Sequence, residues 1–266
     1  MHGVIMKSAL ASLAIAIMFD PAALAVTQGE SEQILRLPAV ALFASNSFIG
    51  MGVVVASDRT SSYIVTARHN LHSGVYGDCS RPESVHTTIS NVTVRSLLYD
   101  NSAPVMIVNE DRCSDLSLIR ADIPDLPVAC FEPSTVLSNG TQLASIAFVD
   151  ATEPTSGKSY RVDKLVGGRA LSIVNGELVH SIVTSGGFSG AGILDTGTGL
   201  FVAIHQSDDL RAGVGIGFGK TVESISNLIP VQAGISLIMG PAQPLDGRCY
   251  GNFLGTGVPL RGLNDA

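Results

Sequence analysis

Apolar runs of strand length, each closed by a turn signal, recur along almost the whole chain, and they constrain the fold more than any other feature. "AVALFAS", "GMGVVVAS", "SSYIVTA", "TTISNVTV" and "PVMIV" fill the first half; "QLASIAFV", "ALSIV", "ELVHSIV", "AGIL" and "LFVAIH" fill the second. Runs this short, rich in Val, Ile, Ser and Thr, bury one face of a pleated strand and then must turn. Asn175-Gly176 between two of them is a two-residue hairpin signal. "DTGTG" (195–199) is another turn. The expectation is an all-β protein, a sandwich or barrels. One stretch departs from the pattern: "KTVESISNLIPV" has Val222, Ile225 and Leu228 at helical spacing, which predicts a short helix near the C-terminus.

Composition agrees. With 266 residues and 45% hydrophobic, the chain can bury one large core or two small ones. Only 15% of residues are charged, which argues against disorder and long solvated helices. The net charge is −7 and no Lys/Arg block occurs, so no nucleic-acid partner is expected. "ADIPDLPVACFEP" (121–133) carries Pro124, Pro127 and Pro133 and breaks the strand pattern, marking a boundary between two units, 26–125 and 126–230, with a tail over 231–266.

The first residues read as an export leader. Lys7 supplies a positive charge, "SALASLAIAIMF" is an apolar run too short to span a bilayer, and Ala23–Ala25 fits the small-x-small cleavage rule. The leader is assigned to residues 1–25, and a mature chain starting near Val26 is expected to be secreted or periplasmic, without a stable membrane anchor. An even set of cysteines in an exported chain, Cys79, Cys113, Cys130 and Cys249, suggests two disulfides, with three connectivities open. Their wide spacing without C-x-x-C argues against zinc, and neither a metal nor a cofactor is expected.

The stretch "TSGGFSGAGIL" sets Ser189 among Gly186, Gly187, Gly190 and Gly192, directly before a strand-like run. Glycines permit the left-handed backbone and close approach that aim a hydroxyl, and neighbouring N–H groups, at one point. That is what an acyl-transfer nucleophile needs. A serine requires a base near neutrality, and the base requires a carboxylate to fix its tautomer. His69, at the end of the strand "SSYIVTA", and Asp115, opening "DLSLIR", supply both types. His72 forms a His-x-x-His with His69 but has no third ligand nearby, and His86 and His180 have surface or strand contexts. Thr66 is expected to pack behind the His69 turn.

"IVTARHNL", "SDLSLIR" and "GGFSGAG", in the order His, Asp, Ser, resemble the trypsin-like serine proteases of the chymotrypsin fold. The resemblance runs from about Pro38 to Leu228. It implies two six-stranded antiparallel β-barrels with the active site in the cleft between them. His69 and Asp115 would lie on the first barrel and Ser189 on the second. It further implies Ser189 as nucleophile, His69 as general base and acid, and Asp115 as orienting carboxylate. The backbone N–H groups of Gly187 and Ser189 would form the oxyanion hole, and the substrate would be a peptide or protein.

Three positions depart from the family. Phe188 stands where animal digestive enzymes place an aspartate that receives the new N-terminus, so that activation switch is excluded. A bulky aromatic there either packs under the turn or distorts the oxyanion hole. Ala191 replaces a motif glycine, and Asn70 replaces the cysteine beside the catalytic histidine. In the expected specificity pocket, Val183 offers no carboxylate for a basic side chain. His205, followed by Gln206, and Thr184 resemble the pairing of the bacterial glutamyl endopeptidases, which implies cleavage after Glu or Gln with a His205 that titrates near neutrality. The alternative is a His205 that merely packs in its strand. Bridges Cys79–Cys113 and Cys130–Cys249 are expected. Two rival functions remain at this point: a protease-like binding protein that has lost activity through Phe188, and a periplasmic quality-control protease. The second would want a peptide-binding domain after the catalytic unit, for which residues 231–266 are too short.

Overall fold

The computed structural model describes residues 28–73, 87–99, 101–152, 159–209 and 215–240. The leader, Cys79, His86 and Cys249 lie outside the described residues. The chain opens with helix α1 (Gln28–Arg36) and then builds strands β1 (Ala39–Ala44), β2 (Ser47–Ser57), β3 (Ser62–Ala67), β4 (His72–Ser73), β5 (Thr87–Thr88), β6 (Val92–Ser96), β7 (Ser102–Asp111) and β8 (Leu116–Ala121). Six of these close into a barrel in the order β1-β2-β3-β8-β7-β6, with β4 and β5 paired separately. Closure satisfies the strand edges within the ring. Register shifts at Leu42/Phe43 and Val54/Ala56 add the bulges that help a sheet curl.

The second unit holds β9 (Cys130–Phe131), β10 (Gln142–Thr152), β11 (Ser159–Val174), β12 (Glu177–His180), β13 (Gly192–Asp195), β14 (Leu200–Asp209), β15 (Ile216–Thr221), helix α2 (Val222–Leu228) and β16 (Ile238–Met239). Strands β13-β10-β11-β12-β15-β14 run side by side, and β13 also pairs with β14, which closes a second antiparallel ring of six. β9 and β16 attach in parallel to its outside, β9 on β14 and β16 on β9. The Asn175-Gly176 turn joins β11 to β12, with Asn175 at φ 53° and Gly176 at φ 75°, the left-handed pair such a hairpin requires.

The barrels share apolar packing. Val53, Val65, Leu116 and Leu118 of the first meet Ile146, Phe201 and Ile204 of the second, all buried in one cluster. α2 adds Val222, Ile225 and Leu228 to that cluster, the three residues its sequence spacing places on one face. α1 joins through Ile34 and Leu35. No sequence periodicity announces α1, because its nine residues offer only those two apolar side chains, and docking onto the barrels fixes it. β15, "IGFGKT", is likewise absent from the sequence expectation, since glycines at 217 and 219 weaken its strand signal. The pairing geometry accounts for Gly217: a Cβ there would stand 2.0 Å from the His180 ring.

Candidate functional site

β3 ends at Ala67 and the chain turns through a single 3-10 turn, Arg68–Asn70. That turn projects His69 from the barrel rim. Asp115 sits at the mouth of β8 with φ 51°, a left-handed conformation that Asp tolerates better than most residues. From there the Asp115 carboxylate reaches the turn twice. Oδ1 accepts the His69 backbone N–H at 3.0 Å, and Oδ2 lies 2.7 Å from His69 Nδ1. The Asp115 carbonyl also accepts the Arg68 N–H at 2.8 Å. This grip places the Nδ1 proton toward the carboxylate and leaves Nε2 as the acceptor.

Ser189 comes from the second barrel, on the turn before β13. Gly187 at φ 105° and Gly190 at φ 87° bracket it. The turn is locked to the first barrel: the Ser189 carbonyl accepts from the Met51 N–H at 2.8 Å and from Asn70 Nδ2 at 2.8 Å. Asn70 Nδ2 also donates to Thr66 Oγ1, whose hydroxyl donates to the Met51 carbonyl. Thr66 therefore packs behind the His69 turn as expected. Asn70, at the position where the family carries a cysteine, becomes a hydrogen-bonded strut between the barrels.

Phe188 is fully buried under the turn, among Met51, Ala147, Phe148 and Ala191, with its ring edge-on to His205 at 6.4 Å. Of the two outcomes open for an aromatic here, the structure shows packing beneath the turn. Among the described residues, the Gly187 and Ser189 N–H groups have no intramolecular acceptor, while the Phe188 and Gly190 N–H groups are taken by the Ser185 and His205 carbonyls.

His69, Asp115, Ser189, His205, Gln206 and Asp208 line one cleft of about 570 Å³ between the barrels. Ser189 Oγ donates to the Gln206 carbonyl at 3.2 Å. The Gln206 side chain donates from Nε2 to the Ser114 and Asp115 carbonyls at 2.6 and 2.8 Å, a second tie between the barrels beside the carboxylate. Val183 does not line the cleft; its side chain is 62% exposed beside Gly215.

Thr184 and His205 do meet, with Oγ1 and Nε2 3.3 Å apart. Behind them lies a residue whose role the sequence does not reveal. His180 on β12 is fully buried, not a surface histidine; its Nδ1 accepts the Ile182 N–H at 3.3 Å and its Nε2 lies 3.2 Å from His205 Nδ1. With Nδ1 accepting, Nε2 carries the proton and donates to His205, whose own Nε2–H then faces the cleft. Burial holds both rings neutral: His180 is pushed down to about 3 by burial and then by His205, and His205 to about 4 by burial and then by His69. This corrects the expectation of a His205 that titrates near neutrality, because the ring is desolvated between β12 and the Phe188 ring. Only the β12–β15–β14 pairing, with the room left by Gly217, could have signalled His180.

Among the described residues, no group of three or more His, Cys, Asp or Glu side chains could hold a metal ion. His72 instead faces Glu110, Nε2 to Oε1 at 2.7 Å. The model of the trypsin-like peptidase domain matches residues 50–204, more than half the chain. The chain belongs to the trypsin-like peptidase family. The matched segment of this trypsin-like peptidase contains His69, Asp115 and Ser189. Two solved structures share its fold. One is Rv3671c from Mycobacterium tuberculosis H37Rv, a serine-to-alanine mutant in an inactive form, at 15% identity and a TM-score of 0.53, covering 79% of this chain and 91% of that one. The other is the HtrA-type protease AlgW, a serine-to-alanine mutant with a tripeptide, at 14% identity and a TM-score of 0.55, covering 75% of this chain and 61% of that one. No curated protein matches the chain by sequence.

Proposed function

We propose that the protein is an exported serine endopeptidase acting through Ser189, His69 and Asp115. The observation that carries this reading is the double grip of Asp115 on His69, backbone N–H and Nδ1 together, at the mouth of the cleft that Ser189 lines. Asp115 fixes the tautomer in which Nε2 takes a proton and stabilises the imidazolium that results. Ser189 Oγ, resting on the Gln206 carbonyl, attacks the scissile carbonyl as its proton passes to His69. The N–H groups of Gly187 and Ser189 receive the developing oxyanion. His69 then protonates the leaving amine, and water hydrolyses the acyl-enzyme by the reverse sequence. The packing of Phe188 beneath the turn supports an intact oxyanion hole and weighs against an inactive binding protein.

Ser189→Ala tests the assignment. Peptide hydrolysis by the folded variant should fall by roughly 10⁴–10⁶ in kcat. Activity near that of the parent protein would remove Ser189 from the mechanism.

Export is proposed from the leader motif and the cysteines. Cys130 is buried and disulfide-bonded, and Cys249, outside the described residues, is its proposed partner; Cys113 is exposed and its proposed partner, Cys79, lies outside them too. A Glu or Gln preference would rest on His205 Nε2–H and the Thr184 hydroxyl as donors to the substrate, but Asp208 already shares both.

A further inference from the structure

Asp208 lies on β14 three residues beyond His205, and its carboxylate meets Thr184 and His205, the two groups expected to hold a substrate carboxylate. Oδ2 accepts the Thr184 hydroxyl, and Oδ1 lies 3.7 Å from His205 Nε2. The side chain is only 16% exposed and lines the same cleft as Ser189. A carboxylate this enclosed calls for hydrogen bonds and a countercharge. The hydrogen bonds are present; among the described residues a countercharge is not. His205 cannot supply it, since burial and the proton donated by His180 keep its ring neutral. Lys220 is the one cation among the described residues lining the cleft, and it pairs with Glu177 at 2.6 Å. Of the other two lining carboxylates, Glu177 is held by that lysine and Asp115 by His69.

We propose that Asp208 is the specificity-determining residue of this pocket and that it selects a cationic side chain, lysine or arginine, before the scissile bond. The inference rests on the serine-endopeptidase reading for the cleavage itself, though not for the binding. A substrate ammonium or guanidinium entering the cleft donates to Asp208 and supplies the countercharge that the described residues do not. A substrate glutamate would have to displace Asp208 from Thr184 and then hold its charge beside another carboxylate in a desolvated cleft, where like charges repel strongly. Val183, 62% exposed and outside the cleft lining, has no part in this choice, so its lack of charge does not exclude a basic substrate.

Two measurements test the proposal. The first compares kcat/KM for peptides differing only in the residue before the scissile bond: Lys, Arg, Gln, Glu and Leu. The parent protein should favour Lys and Arg over Glu by about tenfold or more, and Asp208→Asn should lower the Lys-to-Leu ratio by about tenfold or more. A preference for Glu, Gln or Leu, or a Lys-to-Leu ratio that Asp208→Asn leaves unchanged, overturns it. The second needs no turnover. Calorimetry with benzamidine, a small aryl cation, on Ser189→Ala should show binding that weakens about tenfold or more when Asp208→Asn is added. Absent binding, or equal binding to both variants, overturns the proposal. If no peptide is cleaved while benzamidine binding depends on Asp208, the endopeptidase reading falls and the pocket assignment stands. Cleavage without Asp208 dependence brings down the pocket assignment alone.

Discussion

The Cα of Gly190 faces the carbonyl of Met51 so closely that a Cβ on Gly190 would stand 1.9 Å from that oxygen. The same atom would lie 2.6 Å from Thr66 Oγ1, and Gly190 has φ 87°. The contact joins the serine turn of the second barrel to β2 and β3 of the first. Close approach and left-handed backbone therefore demand glycine together at this position. Gly190→Ala should destabilise the fold by at least about 3 kcal/mol, through strain and through loss of the Met51–Ser189 seam. A denaturant midpoint within error of the parent protein would show that the seam yields to an added methyl.

Asp115→Asn addresses the histidine. Asparagine keeps the shape but can present an amide N–H to His69 Nδ1, favouring the tautomer that puts the proton on Nε2. The base is then lost without loss of fold. Peptide hydrolysis should fall about 10⁴-fold in kcat. The thermal midpoint should move far less than in Gly190→Ala. A small kinetic effect would mean that Asp115 only braces the turn.

Glu132 predicts a pH dependence of stability away from the cleft. It is 6% exposed, accepts the Thr198 hydroxyl at 3.1 Å and shares a hydrogen bond with Asp195. Burial, and then the charge of Asp195, push its carboxyl up to about 7 from the ordinary 4.5. Between those values the folded state holds a proton that the unfolded chain has released. The contribution of Glu132 is therefore fully present below about pH 4.5 and is lost as pH rises through about 7. Glu132→Gln should flatten that slope and stabilise the protein at pH 8 by up to about 2–3 kcal/mol. Denaturant unfolding from pH 5 to 8 measures it; equal slopes for the two proteins would refute the protonated pair.

Much of the fold was legible because strand-length apolar runs and turn residues are local signals. Asn175-Gly176 dictates its hairpin whatever surrounds it, and Val222, Ile225 and Leu228 mark a helix face by spacing alone. The three segments around His69, Asp115 and Ser189 were legible for the same reason. Each is a strand end or a turn whose chemistry is written in adjacent residues. α1 and β15 were not legible, since burial against the barrels fixes the first and close packing around the His180 ring shapes the second.

The sequence by itself determined an all-β chain, its turns, and a His, Asp and Ser in the order of a trypsin-like peptidase. Tertiary structure alone decided which polar groups share a desolvated space. His180 and His205, or Asp208 and Thr184, are far apart along the chain, and no local pattern links them. The pairing of β12, β15 and β14 brings them together, and burial there keeps the two histidines neutral. A pocket's electrostatics depends on which groups lose water together, and loss of water is a property of the packed barrels, not of neighbouring residues in the chain.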